Sequence, residues 1–187
     1  MLRFCGLKKL FMKIKRIEEY QLTSKTEKEI SRLLKDCFSS YPDQQSYYKQ
    51  VPSFRFLAYD EKALIGHLAI HFRIMNIGGL TTKIFGIADL CVANSHRSKN
   101  IATTLLNELE VLGQKSNIDF LILVAQDHSL YKKNGFKLVE NTCRWLLINS
   151  NQSLGVLHGR IERSIMMKAI GEEKWQDGIL DFLGPVF

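Results

Sequence analysis

Ala88-Asp-Leu-Cys-Val-Ala-Asn-Ser-His-Arg97-Ser-Lys-Asn-Ile-Ala-Thr-Thr-Leu-Leu-Asn-Glu-Leu-Glu110 is the stretch on which the fold turns. The run leading into it, Lys83 to Val92, reads as a long, largely apolar strand. A short polar loop follows. From Asn100 to about Lys115, Ile101, Leu105, Leu109 and Leu112 recur at helical spacing and share one face. A helix that starts this way leaves its first backbone N–H groups without partners and presents the positive end of its dipole. It is therefore a ready seat for a pyrophosphate. Arg97 and Lys99 add local positive charge. The competing account is a surface loop whose basic residues are merely solvated.

Upstream, Met12 to Ile17 alternates as a strand does, and Ser24-Lys-Thr-Glu27 reads as a capping box opening a helix through Cys37. Ser39 to Pro52 is irregular and carries Tyr41, Tyr47 and Tyr48, which suits a binding loop or a second short helix. Phe54 to Tyr59 and Leu64 to Ile74 read as strands separated by a turn at Asp60-Glu-Lys62, and Gly78-Gly79 makes the next turn. Downstream, Phe120 to Ala125 is a continuous apolar run, the pattern of a strand buried on both faces. Asp127 can cap a short helix that stops at Asn134-Gly135, and Phe136 to Glu140 and Trp145 to Ile148 follow as strands. Hairpin-connected strands thus precede a β-α-β crossover. The expected class is α/β (α+β): a central mixed sheet with helices on its faces.

The 187 residues fit one domain, and their 45% apolar and 24% charged content argues against wholesale disorder. A formal charge of +7 attracts polyanions, whether nucleic acid, an anionic membrane or a multiply phosphorylated ligand. The Lys and Arg residues are dispersed, with no recognition helix and no aromatic–basic ladder, so no nucleic acid is expected. Cys5, Cys37, Cys91 and Cys143 form no C-x-x-C pair and have no His at zinc spacing, which argues against metal and redox motifs and suits a reducing cytoplasm. His67 and His71 share a strand face about 13 Å apart, too far for one metal, and read as packing or cleft-lining residues. The start of the chain is basic and broken by Lys8 and Lys9, so residues 1–11 read as an N-terminal extension rather than an export signal. No apolar stretch is long enough to span a membrane.

Two motifs give the chain a family resemblance. Arg97-Ser98-Lys99-Asn100-Ile101-Ala102 resembles the R/Q-x-x-G-x-G/A acetyl-CoA signature of the GNAT N-acetyltransferase superfamily, with Asn100 in place of the central Gly. Asn is the commonest non-Gly residue to tolerate a left-handed backbone, so the turn can survive. Leu130-Tyr-Lys-Lys-Asn-Gly-Phe136 resembles the superfamily's L/F-Y-x-x-x-G-F stretch. The matches cover roughly residues 54 to 140, and the element order fits from Met12. A third, narrower match is the tail Trp175-Gln-Asp-Gly-Ile-Leu-Asp181-Phe-Leu-Gly-Pro-Val-Phe187, similar to the ending of a bacterial subgroup that resembles aminoglycoside 2′-N-acetyltransferases.

The resemblance implies a single GNAT domain over residues 12–187, a mostly antiparallel twisted sheet, and splayed strands that form an acyl-CoA cleft. Residues 150–187 are expected to be a substrate-side arm. It implies direct transfer of an acetyl group from acetyl-CoA to a primary amine, with no metal. Cys91 and Val92 would pair through their backbone with the pantetheine arm, and Arg97, Ser98, Lys99, Asn100, Ile101, Ala102 and Thr103 would hold the pyrophosphate, with His96 close by. Tyr131 is the expected general acid on the leaving thiolate; the competing account is a core aromatic. Asp89 is the expected base, since a carboxylate in the apolar run Ile84 to Val92, on the face of Phe85, Ile87 and Cys91, either faces a cleft or costs stability. A structural, hydrogen-bonded Asp is the alternative.

Asp177, Asp181 and the Phe187 carboxylate would line the acceptor cleft and hold a protonated amine. The acceptor is expected to be a small molecule, such as an aminoglycoside or amino sugar, or a peptide amine. The alternative is a GNAT-fold module that binds acyl-CoA or docks a partner with little catalysis. A cytoplasmic location is expected, and a homodimer is left open.

Overall fold

A computed structural model describes residues 12–187, so the expected extension over residues 1–11 lies outside the described residues. The elements run β1 (Met12–Glu18), α1 (Ser24–Cys37), β2 (Phe54–Asp60), β3 (Ala63–Ile77), β4 (Leu80–Val92), α2 (Ile101–Lys115), β5 (Phe120–Val124), α3 (Ser129–Lys133), β6 (Lys137–Leu138), β7 (Thr142–Asn149), β8 (Gln152–Gly159), β9 (Ile165–Ala169) and β10 (Ile179–Asp181). These strands form one sheet in the order β6-β9-β5-β4-β3-β10-β7-β8, with β1 paired to β2 and β2 to β3. Only β4–β5 and β10–β7 run parallel; the other pairs are antiparallel. The expected mixed, mostly antiparallel sheet with flanking helices is therefore present.

β3, fifteen residues long, organises the sheet. Its start pairs with β2 and its end with β10, while β4 runs along the opposite edge. One face packs on α2: Phe54, Phe56, Leu68, Ile70, Phe85 and Ile87 are buried with Ile101, Leu105 and Leu109. The other face is shared. α1 covers one end with Ile30, Leu33 and Leu34, and the C-terminal segment covers the other with Leu180 and Phe182 against Met75, Ile84 and Phe120.

Several local details depart from the sequence expectations. The residue that caps α1 is Thr23, whose Oγ1 accepts the Thr26 N–H at 3.2 Å; Ser24 is already helical, and Glu27 instead accepts the Ser46 hydroxyl. Ser39 to Pro52 forms no second helix, yet it is pinned by buried Tyr41 and Ser46. The strand expected over Phe136 to Glu140 contracts to Lys137–Leu138, which pairs only with β9. Residues 150–187 are not simply an arm. Ile165–Ala169 enters the sheet between β5 and β6, while Gln152–Gly159 is an exposed edge strand.

α2 approaches the sheet closely because β3 has no side chain at Gly66. A Cβ there would lie 3.0 Å from Ile101, 3.2 Å from Ala58 and 3.4 Å from Leu105. Gly66→Val should overpack this contact and cost roughly 1–3 kcal/mol. Urea denaturation should show a lowered midpoint with an unchanged m-value; an unchanged midpoint would mean that α2 is free to move away.

Candidate functional site

β4 and β5 pair only from Ile84–Ile87 to Phe120–Leu123. β4 then runs on through Val92 without β5, so the two strands part. A cavity of about 1140 Å³ opens at this point. β4, the loop after it and the start of α2 form one wall; Val124 to Tyr131 forms another; the Phe38–Pro52 loop and Pro185–Phe187 close the ends. That volume exceeds the few hundred Å³ of a minimal small-molecule site and suits a long ligand.

The parting coincides with a bulge. Between the pairs His67–Cys91 and Ala69–Ala88, β4 has one residue more than β3. Asp89 sits in the bulge with φ 51°, in the left-handed region. The extra residue reverses the strand's faces. Phe85 and Ile87 pack toward α2, as do Leu90 and Val92 beyond the bulge, whereas Cys91 packs toward α1. Asp89 therefore does not share a face with Phe85 and Ile87, as simple alternation would have it. Its carboxylate turns toward the α1 side, where Tyr41 Oη donates to Oδ2 at 2.8 Å.

The bulge is held from beneath by a buried polar chain. Arg55, fully buried, donates from Nε and Nη2 to the Glu19 carboxylate at 2.7 and 2.8 Å and from Nη1 to Ser46 O at 2.7 Å. Nη1 also lies 2.9 Å from His67 Nε2. Arg can only donate, so His67 Nε2 accepts and its proton resides on Nδ1, which donates to Asp89 O at 2.8 Å. Burial, then the Arg55 charge, lowers the His67 pKa to about 3 and keeps the ring neutral. Burial raises the Asp89 pKa above the ordinary carboxylate range, opposed by the Tyr41 hydrogen bond and by Arg55. Burial also pushes the Tyr131 hydroxyl up to about 12, with the Asp127 charge adding to it, so Tyr131 is protonated at neutral pH.

Asn100 adopts φ 59°, ψ 16° and precedes Ile101, the first residue of α2; its side chain makes no capping hydrogen bond. Thr103 Oγ1 accepts from Asn134 Nδ2 at 3.3 Å, which joins the two sequence motifs. Asp89, Cys91, Val92, Arg97, Ser98, Asn100, Ile101, Ala102, Thr103, Tyr131 and Phe187 all line the one cavity. Ile101 itself is buried in the α2 core, so it offers the cavity its backbone.

Lys99 does not line the cavity: left-handed residues at Ser98 and Asn100 bend the loop on either side of it. His96 lines it, but its Nε2 lies 3.3 Å from Asp60 Oδ2. Asp181 is also elsewhere. It accepts from Arg144 at 3.3 Å and from the Leu183 N–H at 3.0 Å, and with Asp177 it lines a separate small hollow. The tail motif instead clamps the chain. Trp175 stands edge-on to Phe120, and Arg73 donates to the carbonyls of Phe182 and Pro185. The Phe187 ring is thereby laid on Gly86 and against His71, with centroids 5.9 Å apart.

Three cavity residues escaped the sequence reading in these roles. Tyr41 is the partner of Asp89, His71 is the stacking partner of Phe187, and Cys37 stands beside Cys91. The Tyr-rich composition of the 39–52 loop pointed to Tyr41, and the cleft-lining reading of His71 agrees with its place in the cavity wall, but neither partner was indicated.

A Cβ at Gly86 would lie 2.2–2.6 Å from the Phe187 ring. Gly86→Ala should therefore expel the ring from the cleft. By NMR, the upfield ring-current shift of the His71 imidazole protons should disappear, as it should in Phe187→Ala. Retention of that shift in Gly86→Ala would refute the stacking geometry.

A family model for the acetyltransferase (GNAT) domain matches residues 20–139. Among solved structures, this chain is similar to the Escherichia coli GNAT family N-acetyltransferase YhbS in complex with CoA, with a TM-score of 0.64 and 16% identity over 91% of this chain and 88% of that one. A GNAT family acetyltransferase from Brucella melitensis in complex with acetyl-CoA gives 0.59 and 16%, over 90% and 94% of the two chains. Eis1 from Mycobacterium abscessus gives 0.58 and 13% over 71% of this chain, which spans 33% of the length of Eis1. A sequence search of curated proteins finds no match.

Proposed function

Because the chain belongs to the GNAT acetyltransferase family, we propose that it transfers an acetyl group directly from acetyl-CoA to the primary amine of a small molecule or peptide. The observation that carries this proposal is the parting of β4 from β5, which leaves the backbone of Ala88–Val92 unpaired on the side facing the cavity and leads it to the start of α2. Cys91 and Val92 would hold the pantetheine arm as an added strand does. The first N–H groups of α2, at Ile101, Ala102 and Thr103, with Ser98 and Asn100, would receive the pyrophosphate. The Arg97 guanidinium would lend charge.

Three tasks remain for side chains: removing a proton from the amine, stabilising the developing oxyanion and protonating the leaving thiolate. Tyr131 would give its proton to the thiolate, a role for which a protonated, partly desolvated phenol is suited. Asp89 would take the amine proton, directly or through water, from the oxygen that Tyr41 does not occupy. Phe187 would bound the acceptor end. Asp181, engaged by Arg144 outside the cavity, has no part in this scheme.

The cavity lining includes Lys49, Arg73, Arg97 and Lys133 against Asp89 and Asp127. That balance favours an acceptor with one reacting amine on an apolar or anionic body, ahead of a polycationic aminoglycoside. An amino sugar remains in the proposed class.

Tyr131→Phe should lower turnover by at least about tenfold while acetyl-CoA affinity stays nearly constant; equal turnover would remove Tyr131 from the chemistry. Asp89 must be ionised to act, so activity should fall as pH drops through its raised pKa. In a kcat/KM profile, Asp89→Asn should abolish that acid limb. Tyr41→Phe removes a hydrogen bond that lowers the pKa and should move the limb to higher pH. A limb unmoved in both variants would exclude Asp89 as the base.

A further inference from the structure

Cys37 ends α1 and Cys91 lies just past the β4 bulge, far apart in sequence, yet both line the same cavity and pack in the same cluster. Cys37 Sγ donates at 3.5 Å to the carbonyl of Val92, the residue that follows Cys91, and Arg97 Nε donates to that same oxygen at 3.4 Å. A half-exposed thiol, a buried thiol and a guanidinium thus meet at the strand end proposed to hold the acyl donor. Cys143, in contrast, is buried outside the cavity, with its thiol on Asn141 O.

We propose that Cys37 and Cys91 are a redox-active pair, a modification site at which a hydroperoxide converts the two thiols into a disulfide that weakens acyl-donor binding. The loss of donor binding rests on the proposed function; the disulfide does not.

The chemistry follows from the arrangement. The thiolate, not the thiol, is the nucleophile toward peroxide. The neighbouring Cys91 thiol lowers the Cys37 pKa against the cost of burial, with Arg97 assisting, whereas the Cys91 thiol is pushed up. Cys37 is the attacking sulfur. It takes one oxygen of the hydroperoxide, the O–O bond breaks, and the other oxygen leaves as an alcohol or water once protonated. Cys91 then attacks the Cys37 sulfenic acid sulfur, loses its proton, and water departs. Two thiols and one hydroperoxide give one disulfide, one alcohol or water and one further water. The two sulfurs together lose two electrons, which the peroxide gains.

The product would act on the cleft in two ways. It removes the Cys37 S–H from Val92 O, and it ties the end of α1 to β4. The chain leaving α1 leads within four residues to Tyr41, which holds Asp89.

The test uses the full chain. Equimolar hydrogen peroxide, followed by tryptic digestion without reductant, should yield the peptide 36–49 joined to the peptide 84–97. Dithiothreitol should separate them, and Cys37→Ser or Cys91→Ser should each abolish the joined species. Calorimetry should show acetyl-CoA bound about tenfold more weakly by the oxidised protein, with recovery on reduction. Cys37 stopping at a sulfinic acid, joining Cys5 or Cys143 instead, or failing to oxidise would overturn the pair. Equal acetyl-CoA affinity in oxidised and reduced protein would overturn the effect on binding. A reduced protein that forms the joined peptide on oxidation yet binds no acetyl-CoA would support the pair and overturn the donor assignment of the cleft.

Discussion

Asp89 occupies a left-handed backbone that a residue with a Cβ adopts only at a cost, on the order of 1 kcal/mol. Its carbonyl is held by a hydrogen bond from His67 Nδ1, and its carboxylate by one from Tyr41 Oη. Arg55 on the far side of the ring donates to Nε2 and so leaves the His67 proton on Nδ1, while burial, with the Arg55 charge adding to it, keeps the ring neutral. Arg55 is in turn tolerable in the core because Glu19 neutralises it through two donors and Ser46 O takes a third contact. A buried cation without that partner would cost several kcal/mol. The bulge in β4 is thus anchored at the far edge of the sheet, where β1 meets the 3-10 turn at Glu19–Gln21.

The geometry of the cleft follows from that anchor. One extra residue turns the end of β4 over, so a carboxylate and a thiol face the cavity where alternation would have placed leucine and valine side chains. The same residues lie where β5 no longer pairs with β4. The open end is then bounded by an unrelated part of the chain. Arg73 on β3 holds the carbonyls of the tail, and Gly86 and Gly184 supply the space that the Phe187 ring and the Arg73 guanidinium require. Strand and tail meet through two glycines and one arginine, which accounts for Gly184 and Phe187 in the tail motif.

Much of this architecture was legible in the sequence because it rests on local patterns. The continuous apolar run of β5 and the helical spacing of α2 report burial directly, and the structure keeps both; β3 is instead buried without a break over Ile65–Ile70, and Phe72 and Ile74 are exposed. Asn100 was legible too, as a left-handed residue where a glycine is customary. The bulge was not. A period-2 count assigns Asp89 to the face of Phe85 and Ile87, and no residue in the run announces the extra position. Asp181 misled for a different reason: a carboxylate near an aromatic tail is as well suited to an ion pair with Arg144 as to a cleft. β8 left no signal because an edge strand with both faces exposed has no reason to alternate. Pairings between distant segments, such as Tyr41 with Asp89 or Cys37 with Cys91, have no periodic signature.

The charge of the chain bears on the cleft less than its backbone does. Two of the side chains near the start of α2 are already committed: Arg97 Nε to Val92 O and His96 to Asp60. Lys99 lies outside the cavity lining. The groups left without partners are main-chain. Thr104 N–H is the first in α2 to find a helical acceptor, Asn100 O, and the Asn100 side chain caps nothing. A serine or aspartate in the capping position would satisfy one of the free N–H groups and compete with a phosphate for it. Asn in the left-handed conformation preserves the turn and leaves those donors open. In the proposed function, affinity for a pyrophosphate would then come chiefly from oriented peptide dipoles at short range, and only secondarily from the net charge of +7. Dipoles at a helix start act over a single turn, whereas net charge acts over a Debye length and is screened by salt. Donor binding built this way would resist ionic strength better than binding that depended on the surface charge of the chain.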